Sequence, residues 1–130
     1  MGTGKVILLD TNYLIRSLVH KSREMQRIAE WVTAGEELIT SSISWYEFIC
    51  GPVDGEGIFV VSSLIEERII PFSGDQAVEA ARLFNETGRK RNLRVDAMIA
   101  AAAIITHAEL ATENLGDFSE FTAFGLILAD

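Results

Sequence analysis

Four acidic residues stand where a fold could bring them together for chemistry: Asp10, Glu47, Asp96 and Asp117. Asp10 follows directly on the apolar residues Val6 to Leu9 in the stretch VILLDTNYLI. Glu47 lies in SISWYEFICG, Asp96 opens VDAMIAAAA, and Asp117 lies near the end of ATENLGDF. Each has an ordinary reading of its own. Asp10 can cap the helix that follows it, and Glu47 can be the reciprocal partner of Ser44 in an S-x-x-E capping box. Asp96 at a helix start is favoured by the macrodipole, and Asp117 sits in a glycine-containing turn. Convergence is what those readings leave unexplained. Carboxylates gathered at one place raise each other's pKa unless a cation compensates. Hard oxygen ligands with no Cys or His cluster suit Mg²⁺ or Mn²⁺ rather than zinc. Such a pocket suits phosphodiester hydrolysis, in which a metal lowers the pKa of a bound water and steadies the charge on the phosphate. A carboxylate not fully engaged can position the attacking water.

The elements around these acids alternate between short apolar strands and amphipathic helices, an α/β pattern. Val6–Leu9 reads as a strand covered on both faces. Met25, Ile28, Ala29 and Val32 share a helix face that Gly35 ends. Leu38–Thr40 is a second strand, and Ser44 opens a helix reaching about Gly51. After a loop from Pro52 to Gly57 come a helix through Ile58, Val61 and Ile65 and a strand at Ile69–Phe72. Asp75 caps a further helix that Gly88 stops. Ala97 to Ile105 is apolar all round and therefore buried. Leu110–Thr112 and Phe124–Leu128 complete a mostly parallel sheet of four or five strands. Ligands of open parallel sheets bind outside the carboxyl ends of the strands, where all four acids should lie.

The 130 residues form one domain, 1–130, large enough to bury a core, and 48% hydrophobic against 23% charged composition excludes a disordered chain. The single cysteine, Cys50, cannot form an internal disulfide, which fits a reducing cytoplasm. The longest apolar run is about half the roughly 20 residues a membrane span needs, and no signal peptide opens the chain. His20 and His107 fit no ligand pattern and read as structural or surface residues. Trp31 and Trp45 read as core residues. The net charge of −8 excludes general nucleic-acid binding through a basic surface. Five of the eleven basic residues nevertheless fall in one segment, Arg82, Arg89, Lys90, Arg91 and Arg94, either a solvated helix end or a phosphate-contacting strip.

The four motifs, in this order and spacing from Val6 to Phe118, resemble those of the PIN domain, most closely the small VapC-type toxins with their FitB-like members. The resemblance implies a three-layer α/β/α sandwich and a Mg²⁺- or Mn²⁺-dependent endoribonuclease acting on single-stranded RNA. It also implies a homodimer held inactive by a small cognate antitoxin. By position, Asp10, Glu47, Asp96 and Asp117 match the family's acids. Thr11, Asn12, Thr112 and Asn114 match polar residues that surround the metal. One departure stands out: the family has a basic residue between Thr112 and Asn114, and this chain has Glu113. That residue either weakens phosphate binding there or adds an acid to the metal shell. Arg89, Lys90, Arg91 and Arg94 then become the substitute phosphate contacts. A non-catalytic PIN-like scaffold for RNA or protein is the alternative. Phosphotransfer through Asp10 is disfavoured, because a second aspartate is needed where Asn12 stands and no lysine follows Lys90.

Overall fold

Val6–Leu9 forms β1, and its apolar character follows from its place in the sheet. The structure, a computed structural model describing residues 4–130, pairs β1 in parallel with a strand on each side. These are β2 (Glu37–Ser41) and β4 (Glu109–Ala111), while β3 (Ile69–Ile70) pairs in parallel with β2. The order is β3-β2-β1-β4. Alternation along β1 then sends its side chains into two cores. Leu8 packs with Ile39 and Leu110 on one face, and Ile7 and Leu9 with Leu38 and Ala111 on the other.

Helices cover both faces. α1 (Thr11–Arg16), α2 (Arg23–Thr33), α3 (Ser42–Cys50) and α4 (Gly55–Leu64) bury Tyr13, Leu14, Ile28, Phe48 and Val61 against Ile7 and Leu9. α5 (Gly74–Glu86), α6 (Arg94–Ile105) and α7 (Leu115–Phe118) bury Ala80, Leu83, the alanines of α6 and Phe118 against Leu8. The result is the expected three-layer α/β/α arrangement. Ala100 to Ala103 are fully buried, as an all-round apolar helix requires. Their small side chains let α6 approach the sheet and α5 closely, and a larger residue there would cost about 1–3 kcal/mol by overpacking. Gly35 and Gly88 follow α2 and α5 in left-handed conformations, at φ 79° and 89°, as helix-stopping glycines do.

Several expectations need correction. Phe124–Leu128 is not a strand: Ser119–Phe124 winds as a 3-10 helix, and Leu128 makes only an isolated bridge to Leu110. Ser44 does not cap α3. Ser41 does, accepting the Ser44 amide at 3.0 Å, because the helix starts directly where β2 ends. Likewise Ser73, not Asp75, caps α5, and α4 begins at Gly55 within the expected loop. Trp31 and Trp45 are partly buried against the core formed with Ile7 and Leu9. Among the described residues, no helix is long and apolar enough to cross a membrane.

Candidate active site

The register of the sheet builds the site. Leu9 pairs with Thr40 on one side and Ala111 on the other, so Asp10, Ser41 and Thr112 come off three adjacent strands side by side. The Asp10 amide donates to the Ala111 carbonyl at 2.9 Å, extending the ladder by one bond to the carboxylate's own residue. Thr40 adds a hydroxyl bond to the Leu9 carbonyl at 2.7 Å. Asp10 is thus held at the end of a strand paired on both sides.

Its carboxylate is only 5% exposed and takes three donors. Oδ1 accepts the Thr11 amide at 2.8 Å and the Ser44 hydroxyl at 3.4 Å; Oδ2 accepts the Thr112 hydroxyl at 2.7 Å. Asp10 therefore does cap α1, as one function among others. Burial pushes its pKa up, opposed by the bonds from Thr112 and Thr11 and reinforced by Glu47.

The other acids gather around it. Glu47, on α3, accepts the Thr11 hydroxyl at 2.7 Å and lines a cleft of about 230 Å³ with Asp10, Thr11, Asn12, Asp96, Ile99 and Asn114. Asp96, in the first turn of α6, is half-buried, and its pKa is pushed up to about 6. Burial is the largest cause, followed by repulsion from Asp10, Asp117 and Glu47. Asp117, in the first turn of α7, joins through Asn114, whose side-chain amide donates to Asp117 at 3.2 Å and to Asp96 at 3.5 Å. Asn114 is itself fixed by its backbone amide on the Thr112 hydroxyl at 3.0 Å.

This donor set fits a hard divalent cation. It is all oxygen, it is mutually repulsive, and no cationic side chain lines the cleft. The acids do not close into a tight cage: among the described residues, no three His, Cys, Asp or Glu side chains stand close enough to hold an ion unaided. That suits an ion that keeps several of its waters, as Mg²⁺ does.

The basic strip stands apart from the cleft. Arg89 and Arg94 both lie over the ring of Phe84, with guanidinium carbons 5.3 and 5.5 Å from its centroid. Lys90 pairs with Glu120 at 2.6 Å, Arg82 pairs with Glu79, and Arg91 is exposed. Glu113 turns toward Glu24 of α2 and does not line the cleft. Burial, then its hydrogen bond with Glu24, raises the Glu113 pKa, while Arg16 holds Glu24 at 2.7 Å. His20 and His107 are both exposed.

Ser44 and Ile99 are the site residues that the sequence did not reveal. Ser44 was hidden by its fit to the capping-box pattern. The signal against that reading was Ser41 and Ser42, adjacent cap candidates just after the strand.

The chain matches the PIN domain pattern over residues 7–122 and belongs to the PIN domain family. Its fold is similar to a chain of the VapBC2 complex from Rickettsia felis bound to a promoter DNA fragment. That chain is 23% identical at a TM-score of 0.70, with 95% of this chain and 97% of that one covered. A chain of FitAcB from Neisseria gonorrhoeae is 24% identical at a TM-score of 0.68, covering 95% and 96%. A chain of a toxin–antitoxin complex from Klebsiella pneumoniae is 28% identical at a TM-score of 0.70, covering 87% and 90%. A search of curated protein sequences returns no match. The resemblance to the PIN domain thus holds at the level of family, and the likeness to chains of VapBC and FitAB complexes at the level of fold.

Proposed function

We propose that this chain is a Mg²⁺- or Mn²⁺-dependent endoribonuclease, acting in the cytoplasm as the toxin of a toxin–antitoxin pair. The observation that supports it most is Asp96: a half-buried carboxylate facing three other acids, its pKa pushed up to about 6. A carboxylate in that position is poorly stabilised until a cation arrives.

Asp10, Asp96, Glu47 and Asp117 would hold the ion, which when bound would supply Lewis acidity and a water of lowered pKa. Thr112, Ser44 and the Thr11 amide keep the Asp10 carboxylate in one orientation, and Asn114 does the same for Asp96 and Asp117. Glu47 has Oε1 engaged by Thr11, which leaves Oε2 as the oxygen that would meet the ion or orient one of its waters. Single-stranded RNA is the substrate class. Its phosphates run along Arg89, Lys90, Arg91 and Arg94, because the acid cleft cannot attract them without its ion.

The antitoxin has a suitable surface. Between α2 and α4 lies a largely apolar groove of about 480 Å³, lined by Met25, Ile28, Val32, Val60 and Leu64. Val32 and Val60 are about half exposed. The solved structures cited above include complexes of toxins with antitoxins, and an apolar helix of such a partner is the occupant we assign. A homodimer is expected, and light scattering on the purified chain checks it.

The deciding experiment incubates a single-stranded RNA and a matched single-stranded DNA with wild-type protein and with Asp96→Asn, in Mn²⁺ and in EDTA. RNA cleavage only by the wild type, and only with the ion, is the expected result. Equal cleavage by the folded Asp96→Asn chain sinks the assignment.

A further inference from the structure

We propose that Ser44 decides which oxygen of Asp10 meets the metal, and through it the ion preference of the site. The inference rests on the metal-dependent reading above and deepens it.

Ser44 is fully buried near the start of α3, with no route to solvent for its hydroxyl. Its amide is consumed by the Ser41 cap, and its hydroxyl donates to Asp10 Oδ1 at 3.4 Å. The same oxygen takes the Thr11 amide at 2.8 Å. An ionised carboxylate offers about four lone-pair directions, two on each oxygen. Oδ1 faces two protein donors, the Thr11 amide at normal length and the Ser44 hydroxyl in a long contact. Oδ2 has one, filled by Thr112 at 2.7 Å, and keeps one for a ligand. Asp10 is therefore set up as a one-oxygen ligand through Oδ2.

That constraint discriminates between ions. Mg²⁺ and Mn²⁺ suit single-oxygen ligands, and Mg²⁺ demands near-octahedral geometry with several retained waters. Ca²⁺ is larger, tolerates irregular shells and readily takes a carboxylate through both oxygens. Removing the Ser44 hydroxyl opens Oδ1, and the carboxylate can then turn to present both oxygens. Ser44 touches no ion and no substrate; it acts through Asp10 as a positioning residue.

The test is calorimetric titration with Mn²⁺ and, separately, Ca²⁺ of four full-length chains: wild type, Ser44→Ala, Ser44→Thr and Ser41→Ala. A thermal melt of each and cleavage of a single-stranded RNA oligonucleotide accompany the titrations. Ser44→Ala should weaken Mn²⁺ binding by about tenfold, the usual scale for a lost partner behind a ligand. Ca²⁺ should change less, so the preference for Mn²⁺ narrows. Ser44→Thr keeps the hydroxyl and should bind as the wild type does. Ser41→Ala loses the helix cap and should melt a few degrees lower with its ion preference intact.

A Ser44→Ala chain with the wild-type Mn²⁺ to Ca²⁺ ratio overturns the proposal, as does a Ser41→Ala chain that narrows the ratio equally. Ser44→Thr behaving like Ser44→Ala would remove the hydroxyl from the account. A wild type that cleaves RNA with Mn²⁺ while Ser44→Ala titrates identically overturns this inference alone. A wild type that neither binds Mn²⁺ nor cuts RNA overturns the nuclease reading and this one with it.

Discussion

Thr112 donates its hydroxyl to Asp10 Oδ2 across 2.7 Å, although 102 positions separate the two residues in the chain. The same hydroxyl accepts the amide of Asn114, so one side chain orients both the first acid and the residue that holds the last two. Thr112→Val keeps the shape and removes the donor. We expect Mn²⁺ affinity to fall by roughly 10–100-fold, with a stability loss of about 1–3 kcal/mol from the unsatisfied buried groups. Titration calorimetry and a thermal melt check the two parts separately.

The acid cluster should make the metal-free protein less stable as pH rises. Asp96 has its folded pKa raised from 3.8 to about 6, so the folded chain holds this proton more tightly than the unfolded chain. Its contribution is present below about pH 4 and is lost as pH climbs to about 6. The full shift corresponds to about 3 kcal/mol, but the half-open site is screened and about 1 kcal/mol is the expected loss. Melts in EDTA between pH 4 and pH 7 should show this decline, and Asp96→Asn should flatten it. A wild-type profile unchanged in Asp96→Asn would remove Asp96 as its source.

Added Mn²⁺ should reverse that loss. The ion and the proton compete for the same carboxylates. Saturating Mn²⁺ is therefore expected to raise the melting temperature more at pH 7.5 than at pH 5, and EDTA should abolish both the rise and RNA cleavage. An equal rise at both pH values would argue that the ion binds away from Asp96.

The basic strip should act on binding rather than on the chemical step. Arg91→Glu changes an exposed residue that does not line the acid cleft. RNA affinity should fall several-fold, and the dependence of log affinity on log salt should lose about 0.7 of its slope per phosphate contact removed. Cleavage at saturating RNA should stay within about twofold. Filter binding across a salt series measures it, and an unchanged slope would remove Arg91 from the RNA track.

The groove between α2 and α4 gives a separable prediction. Val60→Asp places a charge on a half-exposed helix position outside the core. The variant should cleave RNA as the wild type does yet escape neutralisation, with antitoxin affinity at least about tenfold weaker. Co-purification and an inhibition titration with a cognate antitoxin check both halves.

Much of this was legible because the informative residues sit at the ends of simple elements. Val6–Leu9 could only be a strand buried on both faces, and its central place in the sheet follows. Asp10, Glu47, Asp96 and Asp117 could be placed at one end of that sheet from the parallel connection alone. The structure brings the first three to one cleft and reaches Asp117 through Asn114. What stayed hidden depends on contacts rather than periodicity. Ser44 and Ser41 have the same chemistry, and only the exact start of α3 decides which caps and which faces Asp10. Phe124 to Leu128 is apolar enough for a strand, yet it meets the sheet only in one bridge at Leu110, through the backbone of Ile127 and Ala129 on either side of Leu128. Local composition cannot show that Arg89 and Arg94 spend their charge against Phe84, ten residues before Arg94.

The central position of β1 has a consequence for the order in which the molecule comes into being. β1 completes its hydrogen bonding only with Glu109–Ala111, far along the chain from Val6–Leu9. Until that segment pairs, Asp10 lacks Thr112, and Asp96 and Asp117 lack Asn114. Pairing across so long a separation is slow to form. A chain truncated before Glu109 is therefore expected to hold no ordered acid site, which titration with Mn²⁺ checks. Under the nuclease proposal, activity then waits on the pairing of β1 with β4, which leaves an interval for an inhibitor to bind.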